Sequence, residues 1–523
     1  MKRRNLSYIT NSLLLWMRDT ERGVRGAQPL LYRRFPLSFE GEGDTGGEVD
    51  KQLKIALPKG RLLTETAALL QKAGWGLNGY HEKARLYRLK SKRFPNLLAK
   101  VFHEKDIPIQ VAIGNYDLGI CGLDWIEELL IKYPNSALVK VKNLEYAEGA
   151  LYMVVSRSQG ISTVEEVRAK EGMVRIATEY PNLAESLALN LRLRRFSIFP
   201  LWGGAEVYPP ENAELALIPG RAGERSFDYD LMPITKVLSF SAFLIANKGS
   251  WETKELSEVL ASIEDKLPVS KKQPLSAEVA GVQQIVAQHS SIPAGEDMVR
   301  LALPDGHQQP PTLRLLNKAG IQIDDYPSPG GNRRPTSNLE GVVFKVIRPR
   351  DMPLQVANGN FDLAITGKDW LLDHLYRFPS SPIVELLDLR FGGVKIVAVI
   401  SQDLSVSDIY SLRRLSAERL VPLRVASEYV NIADKYARDN HLGMYRVVPT
   451  WGASEAFLPE DADLLIENTQ TGRTLTRHKL RIIDTLFEST ACLIGKANSV
   501  SSSSKRQRIK SLTETLRMAV EDV

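Results

Sequence analysis

Short apolar runs alternate with amphipathic stretches along most of the chain. Residues 53–57 are apolar and continuous enough for a buried strand. Residues 63–73 follow with helical spacing, with Leu69 and Leu70 facing inward and Gly74 as the stop. Residues 109–113 read as helical, 118–121 as the next strand, 174–178 as a further strand and 186–193 as the helix behind it. Strands that alternate with helices predict an α/β fold, with ligands at the carboxyl ends of the strands.

The same pattern occurs twice. Ile55-Ala56-Leu57-Pro58 returns as Leu301-Ala302-Leu303-Pro304, and Asp106-Ile107-Pro108 as Asp351-Met352-Pro353. Gly114-Asn115-Tyr116-Asp117-Leu118 returns as Gly359-Asn360-Phe361-Asp362-Leu363, Glu179-Tyr180 as Glu428-Tyr429, and Trp202-Gly203 as Trp451-Gly452. These spacings of 245 to 249 residues are far longer than a solenoid repeat, so each copy should own a core. The stretch from Lys266 to Glu296 carries Pro268, Pro274 and Pro293 among Ser, Lys and Gln, the composition of a linker, with a helical turn around 279–287. Copy one is expected over 51–267, the linker over 268–296 and copy two over 297–523.

Composition narrows the class. A chain of 523 residues exceeds one ordinary core, and 43% hydrophobic with 25% charged residues excludes wholesale disorder. The net charge of +6 is a small excess of 68 basic over 62 acidic side chains. It suits an anionic small molecule, and no basic stripe interleaved with aromatics marks a nucleic-acid surface. Two cysteines, Cys121 and Cys492, exclude a disulfide framework or a thiolate zinc site and read as small buried hydrophobes in a reducing cytoplasm. No run approaches the roughly 18–20 apolar residues of a membrane helix. Residues 1–50 open with Lys2, Arg3 and Arg4 before Leu13-Leu14-Leu15-Trp16, but Arg18 and Asp19 interrupt that run. A disordered leader, or a start assigned too early, is the expectation there.

Candidate chemistry concentrates in Leu464-Leu465-Ile466-Glu467-Asn468-Thr469-Gln470-Thr471-Gly472-Arg473-Thr474-Leu475. An apolar strand delivers an acid, then a hydroxyl-bearing loop around one glycine, then a helix start. Backbone amides and Thr hydroxyls in such a loop can form an anion site, while Glu467 can accept from sugar hydroxyls. The competing reading is a Thr-rich turn that only caps a helix. None of the seven histidines shows metal-ligand spacing, and His307 and His478 are expected in surface or core roles.

This loop resembles the phosphoribosyl-pyrophosphate (PRPP) loop of the ATP phosphoribosyltransferases, first enzymes of histidine biosynthesis. Pro58-Lys59-Gly60-Arg61-Leu62, Arg348-Pro349-Arg350-Asp351-Met352-Pro353, Asp362-Leu363-Ala364-Ile365-Thr366-Gly367-Lys368-Asp369, Phe391-Gly392-Gly393 and Gly452-Ala453-Ser454-Glu455 resemble other signatures of that family. The resemblance implies two tandem copies of a two-lobed, periplasmic-binding-protein-like (type II) catalytic domain. It also implies transfer of a phosphoribosyl group from PRPP to N1 of the ATP adenine, with Mg²⁺ and no covalent nucleophile. Glu467, Asn468, Thr469, Gln470, Thr471, Gly472, Arg473 and Thr474 would then bind PRPP. Lys59, Gly60, Arg61, Arg348, Asp351, Gly452 and Glu455 would bind ATP or pyrophosphate.

The copies depart from the pattern in different places. Copy two has Pro304-Asp305-Gly306-His307 in place of the Lys/Arg turn. Copy one keeps Lys59 and Arg61, but its loop reads Leu217-Ile218-Pro219-Gly220-Arg221-Ala222-Gly223-Glu224-Arg225-Ser226, with Pro219 in place of the acid and His103 in place of Arg348. Either copy one lends Lys59 and Arg61 to copy two across an internal pseudo-dimer, or it serves as a regulatory half, or it is a relic. After Lys496 only 27 residues follow, which resembles the short form of the family and implies a separate regulatory protein related to histidyl-tRNA synthetase. The rivals are a non-catalytic regulatory or scaffold subunit and a two-lobed small-molecule binding protein.

Overall fold

The computed structural model describes residues 52–82, 87–221, 223, 227–267, 297–328, 331–497 and 502–521. The leader expected over 1–50 and the linker turn at 279–287 lie outside the described residues. Residues 51–523 form one compact unit. No helix among the described residues is long and apolar enough to cross a membrane.

Each copy builds two sheets. In copy one, Leu53–Lys59 runs parallel to Leu97–His103 and Leu118–Gly122, and the antiparallel strands Ala242–Asn247 and Leu138–Asn143 complete the first lobe, with Arg88–Lys90 at its edge. The second lobe has the order Leu231–Phe240, Gly149–Ser156, Leu215–Gly220, Val174–Thr178, Phe196–Pro200. The chain therefore crosses between lobes twice, after Asn143 and again between Phe240 and Ala242. Copy two repeats the arrangement. Its first lobe runs Val342–Ile347, Val299–Pro304, Leu363–Gly367, Ala491–Lys496, Ile383–Asp388, and its second Leu480–Ser489, Val394–Ser401, Leu464–Thr469, Leu423–Ser427, Tyr445–Pro449. The fold is a duplicated two-lobed α/β domain.

Two helix boundaries differ from the sequence reading, and the helix read at 109–113 spans Ile107–Ala112. The helix expected at 186–193 spans Pro181–Asn190. Pro181 occupies the first turn, where a missing N–H costs nothing, and Arg192 at φ 53 breaks the helix sooner than its apolar spacing suggests.

The copies pair head to tail, first lobe on second lobe. Ala56, Phe102, Ile107, Val111, Tyr116 and Cys121 of copy one share a core with Val397, Ala426, Phe457, Leu458, Ala462 and Leu465 of copy two. By pseudo-twofold symmetry, Ala302, Ile347, Met352, Val356, Phe361 and Cys492 share a core with Ala150, Ala177, Val207, Tyr208, Ala213 and Ile218. Both cysteines are thus fully buried at the seam between copies. Two buried lysines mirror each other there. Lys100 Nζ reaches Ala456 O at 2.7 Å, Asp461 Oδ2 at 3.0 Å and Glu460 Oε2 at 2.6 Å. Lys345 Nζ reaches Val207 O at 2.8 Å, Asn212 Oδ1 at 2.8 Å and Glu211 Oε2 at 2.9 Å. Trp202 stacks on Trp451 with centroids 5.6 Å apart.

The seam also buries two acids. Asp351 Oδ2 accepts from the Trp202 amide at 3.0 Å, and Asp106 Oδ2 from the Trp451 amide at 3.4 Å. Burial raises the Asp351 carboxyl from 3.8 to about 7. Between those two values the folded chain holds a proton that the unfolded chain has released, so this group makes stability fall as pH rises from about 4 to about 7. Asp351→Asn keeps the acceptor and removes the titration. It is expected to flatten the fall in denaturation midpoint across that window; a slope as steep as wild type would show that the group does not titrate there.

Candidate functional site

The two clefts have diverged. Between the lobes of copy two lies a cavity of about 440 Å³. Asp305, Gly306 and His307 reach it from the end of Val299–Pro304, and Arg348, Pro349 and Arg350 from the end of Val342–Ile347. Asp369 and Trp370 come from the first turn of helix Lys368–Arg377, and Glu428 and Tyr429 precede helix Val430–Asp439. Asn468 stands near the end of Leu464–Thr469, and Ser489 and Thr490 lie at the return crossover. These are carboxyl ends of strands, where an α/β sheet leaves space for a ligand. The remaining wall belongs to copy one: His103, Lys105, Glu179 and Trp202.

A hydrogen-bonded chain fixes the floor. Tyr429 OH donates to Asp369 Oδ2 at 2.6 Å, Ser489 Oγ to Asp369 Oδ1 at 2.8 Å, and Asn468 Nδ2 to Tyr429 OH at 3.0 Å. Two of the cations are paired, Lys105 with Glu179 at 2.7 Å and Arg348 with Asp305 at 2.9 Å. Arg350 lies over the Trp202 ring of copy one, 3.1 Å from its centroid, and 5.2 Å from that of Trp370. Its buried Nη1 has no hydrogen-bond partner among the described residues. Burial lowers Arg350 to about 10, so it stays charged at neutral pH. Burial, then Lys105, lowers His103 to about 4 and leaves it neutral.

The acid-bearing turn follows at once. Glu467 is buried, and its carboxyl accepts from Ser454 Oγ and, at 2.9 Å, from the Asn468 amide. Burial, then the neighbouring Glu428 and Glu455, push Glu467 well above the usual carboxylate range. Thr469 Oγ1 accepts from the Gly472 amide at 3.0 Å, and Gly472 adopts φ 69 to start helix Arg473–Arg477. Gln470, Thr471 and Arg473 are exposed, Thr474 is half-buried, and of this turn Asn468 lines the cavity.

The residues expected to meet phosphates separate. Arg348 lines the copy-two cavity. Lys59 and Gly60 instead line a second cavity of about 290 Å³ with Tyr80 and Tyr87, and Lys59 Nζ donates to Tyr87 OH at 3.2 Å. Asp351 is sealed in the seam, where its carboxylate is used on a backbone amide. Gly452, at φ 105, leaves its missing side chain 3.6 Å from Glu428 Oε1, and Glu455 adds its charge to that of Glu428 and Glu467. The idea that Arg61 crosses to copy two does not hold. Its guanidinium turns into its own cleft, onto Glu104 at 2.9 Å and both oxygens of Asp124 at 2.7 and 2.6 Å, beneath the Phe240 ring.

Arg61 is therefore ion-paired within copy one. Tyr180 OH donates to Asp124 at 2.7 Å, as Tyr429 does to Asp369, so the frameworks match while the contents differ. In copy two the corresponding position is His307, which lines open space. Strand pairing also corrects the reading of copy one's loop. Ala150 faces Gly220 as Lys395 faces Thr469, which sets Ile218 at the position of Glu467 and Pro219 at that of Asn468. Arg61→Ala leaves Glu104 and Asp124 buried without their cation and should lower the denaturation midpoint, by less than for a fully buried pair because the Arg61 side chain is 35% exposed. Turnover per folded molecule should stay within about two-fold; a loss of 100-fold would restore Arg61 to the chemistry.

Lys105, Glu179, Trp202, Arg350, Trp370 and Tyr429 escaped the sequence reading as site residues. The Glu-Tyr and Trp-Gly repeats were visible, but a repeat marks ancestry as readily as function.

The family model for ATP phosphoribosyltransferase matches residues 103–267 and 348–518. An ATP phosphoribosyltransferase of Prosthecochloris aestuarii is 32% identical over 227 residues, covering 43% of this chain and 73% of the relative. One of Thermodesulfovibrio yellowstonii is 28% identical over 230 residues, with 43% and 73% covered. Among solved structures, an ATP phosphoribosyl transferase (HisG:HisZ) complex from Thermotoga maritima is similar at 22% identity and a TM-score of 0.35, covering 43% of this chain and 100% of that one.

Proposed function

This chain belongs to the ATP phosphoribosyltransferase family, and we propose from that premise that copy two is its working half. The chain joins N1 of the ATP adenine to C1 of PRPP and releases pyrophosphate, the first step of histidine biosynthesis. The single observation that supports this reading is the contrast between the copies: Arg61 is ion-paired with Glu104 and Asp124, whereas the copy-two side of the cavity carries Arg348 and Arg350 with Asn468 from the acid-bearing turn.

The ribose phosphate of PRPP would sit on the turn from Glu467 to Thr474, with Glu467 and Asn468 toward the sugar and the amides of the turn toward the phosphate. The reaction needs an amine held against an anomeric carbon and a stabilised leaving pyrophosphate, so positioning and charge suffice. An indole for the purine to pack on is offered by Trp451, which lines the cavity. Among the described residues no group of three or more acids, histidines or cysteines could cage a metal. Mg²⁺ would arrive on substrate phosphates and keep several waters. Glu428, which lines the cavity and accepts no hydrogen bond from the described residues, would be the carboxylate to hold it. When bound, the ion would neutralise charge on the departing pyrophosphate. Copy one takes the non-catalytic part as a built-in partner that supplies one wall. Two buried free cysteines suit the cytoplasm.

Purified full-length protein with ATP, PRPP and Mg²⁺ should form the N1-substituted adenine nucleotide, read by its absorbance, with pyrophosphate release in step. Binding of PRPP without turnover would instead make the chain a regulatory subunit.

A further inference from the structure

Of the cations at the copy-two cavity, Arg350 differs from its neighbours. Lys105 is ion-paired with Glu179 and Arg348 with Asp305, whereas Arg350 forms no ion pair among the described residues and leaves Nη1 buried without a partner. Copy one offers an internal comparison. There Lys105 takes the place of Arg350, Trp125 that of Trp370 and Glu179 that of Glu428. Lys105 lies 4.7 Å over Trp125 and is neutralised by Glu179 at 2.7 Å. The same framework thus holds a satisfied cation in one copy and an unsatisfied one in the other.

What holds Arg350 is aromatic and comes from both copies. Trp202 of copy one lies on one ring-to-guanidinium contact at 3.1 Å, and Trp370 of copy two on another at 5.2 Å. Trp202 is itself stacked on Trp451, and its backbone amide is tied to Asp351. A guanidinium suits this setting better than an ammonium, because its planar, weakly hydrated face stacks on indole while its edge keeps N–H groups for an anion. A buried N–H without an acceptor is costly and is satisfied when an oxyanion enters the cavity.

We propose that Arg350 binds phosphate oxygens of a substrate in the copy-two cleft, and that copy one fixes its position through Trp202. The inference rests on the assignment of that cleft above. Arg350 touches substrate, and Trp202 is a positioning residue. The phosphates belong either to the ATP chain or to PRPP, and the two are distinguished by titrating each alone.

The test is equilibrium binding of ATP and of PRPP, measured separately by calorimetry on full-length wild type, R350Q, R350K, W202F and W202A, with thermal melts to confirm folding. R350Q should weaken one ligand by about ten-fold or more, the loss of a charge-assisted contact, and the ligand affected names the source of the phosphate. R350K should recover only part of that loss. W202F should hold affinity within about three-fold and W202A should not, a rescue that loss of packing elsewhere would not give. Wild-type affinity for both ligands in R350Q overturns the inference and leaves the cleft assignment standing. A wild-type chain that binds neither ligand overturns the assignment and the inference together. If R350Q does not fold, R350K decides: weaker binding by the folded variant supports the role, and unchanged affinity overturns it.

Discussion

Gly472→Val is expected to lower kcat/KM for PRPP by about 100-fold, while Gly223→Val in copy one leaves it within about two-fold. Both glycines sit in the left-handed region, at φ 69 and φ 80, and neither has a heavy atom within 4 Å of where a Cβ would lie. The backbone penalty is therefore alike, about 1–2 kcal/mol for an L-residue held there. What differs is what each turn carries. Gly472 donates to Thr469 Oγ1 and starts helix Arg473–Arg477, below a strand that presents Glu467 and Asn468. Gly223 donates to Tyr152 OH beside a strand that presents Ile218 and Pro219. Distorting the first turn should lose one or two charge-assisted amide contacts to phosphate, each about 1.5–3 kcal/mol, which is the source of the expected factor. Steady-state kinetics with PRPP varied, on variants matched for melting temperature, checks the pair. Equal losses in both would mean that the turn matters for folding and not for the ligand.

Lys100→Ala is the second large effect. The ammonium group is 1% exposed and holds Asp461, itself 4% exposed, together with Glu460 and the Ala456 carbonyl across the seam. Removing one partner of a buried ion pair leaves the other charge uncompensated, so a cost of about 3–5 kcal/mol is expected, visible as a lower denaturation midpoint. Turnover should fall as well, because Lys100 lies on Leu97–His103, the strand that ends at the cavity wall. Lys100→Met combined with Asp461→Leu replaces the pair by apolar volume and should recover much of the stability. If the single variant melts like wild type, the seam is not held by this lysine.

The duplication, the strand-and-helix alternation and the fold class were legible because they are written in local pattern and in spacing. The partner of each lobe was not. Lys100 and Lys345 read as ordinary strand lysines, since their acceptors lie across the seam and far along the chain. Asp351 looked chemical because acids near arginines often are, and only the packing shows its carboxylate spent on the Trp202 amide. Arg61 misled for a related reason. Its sequence motif is intact, but Glu104 and Asp124, distant in sequence, converge on it. Arg350 shows the converse case: its tryptophan partners come from two copies, and no local pattern joins them.

One working cleft per chain is the claim on which the rest depends, and the stoichiometry of PRPP binding addresses it most directly. Calorimetric titration of full-length protein should give one equivalent per chain, abolished by Gly472→Val and retained by Gly223→Val. Two equivalents per chain, or one that survives Gly472→Val, would contradict it.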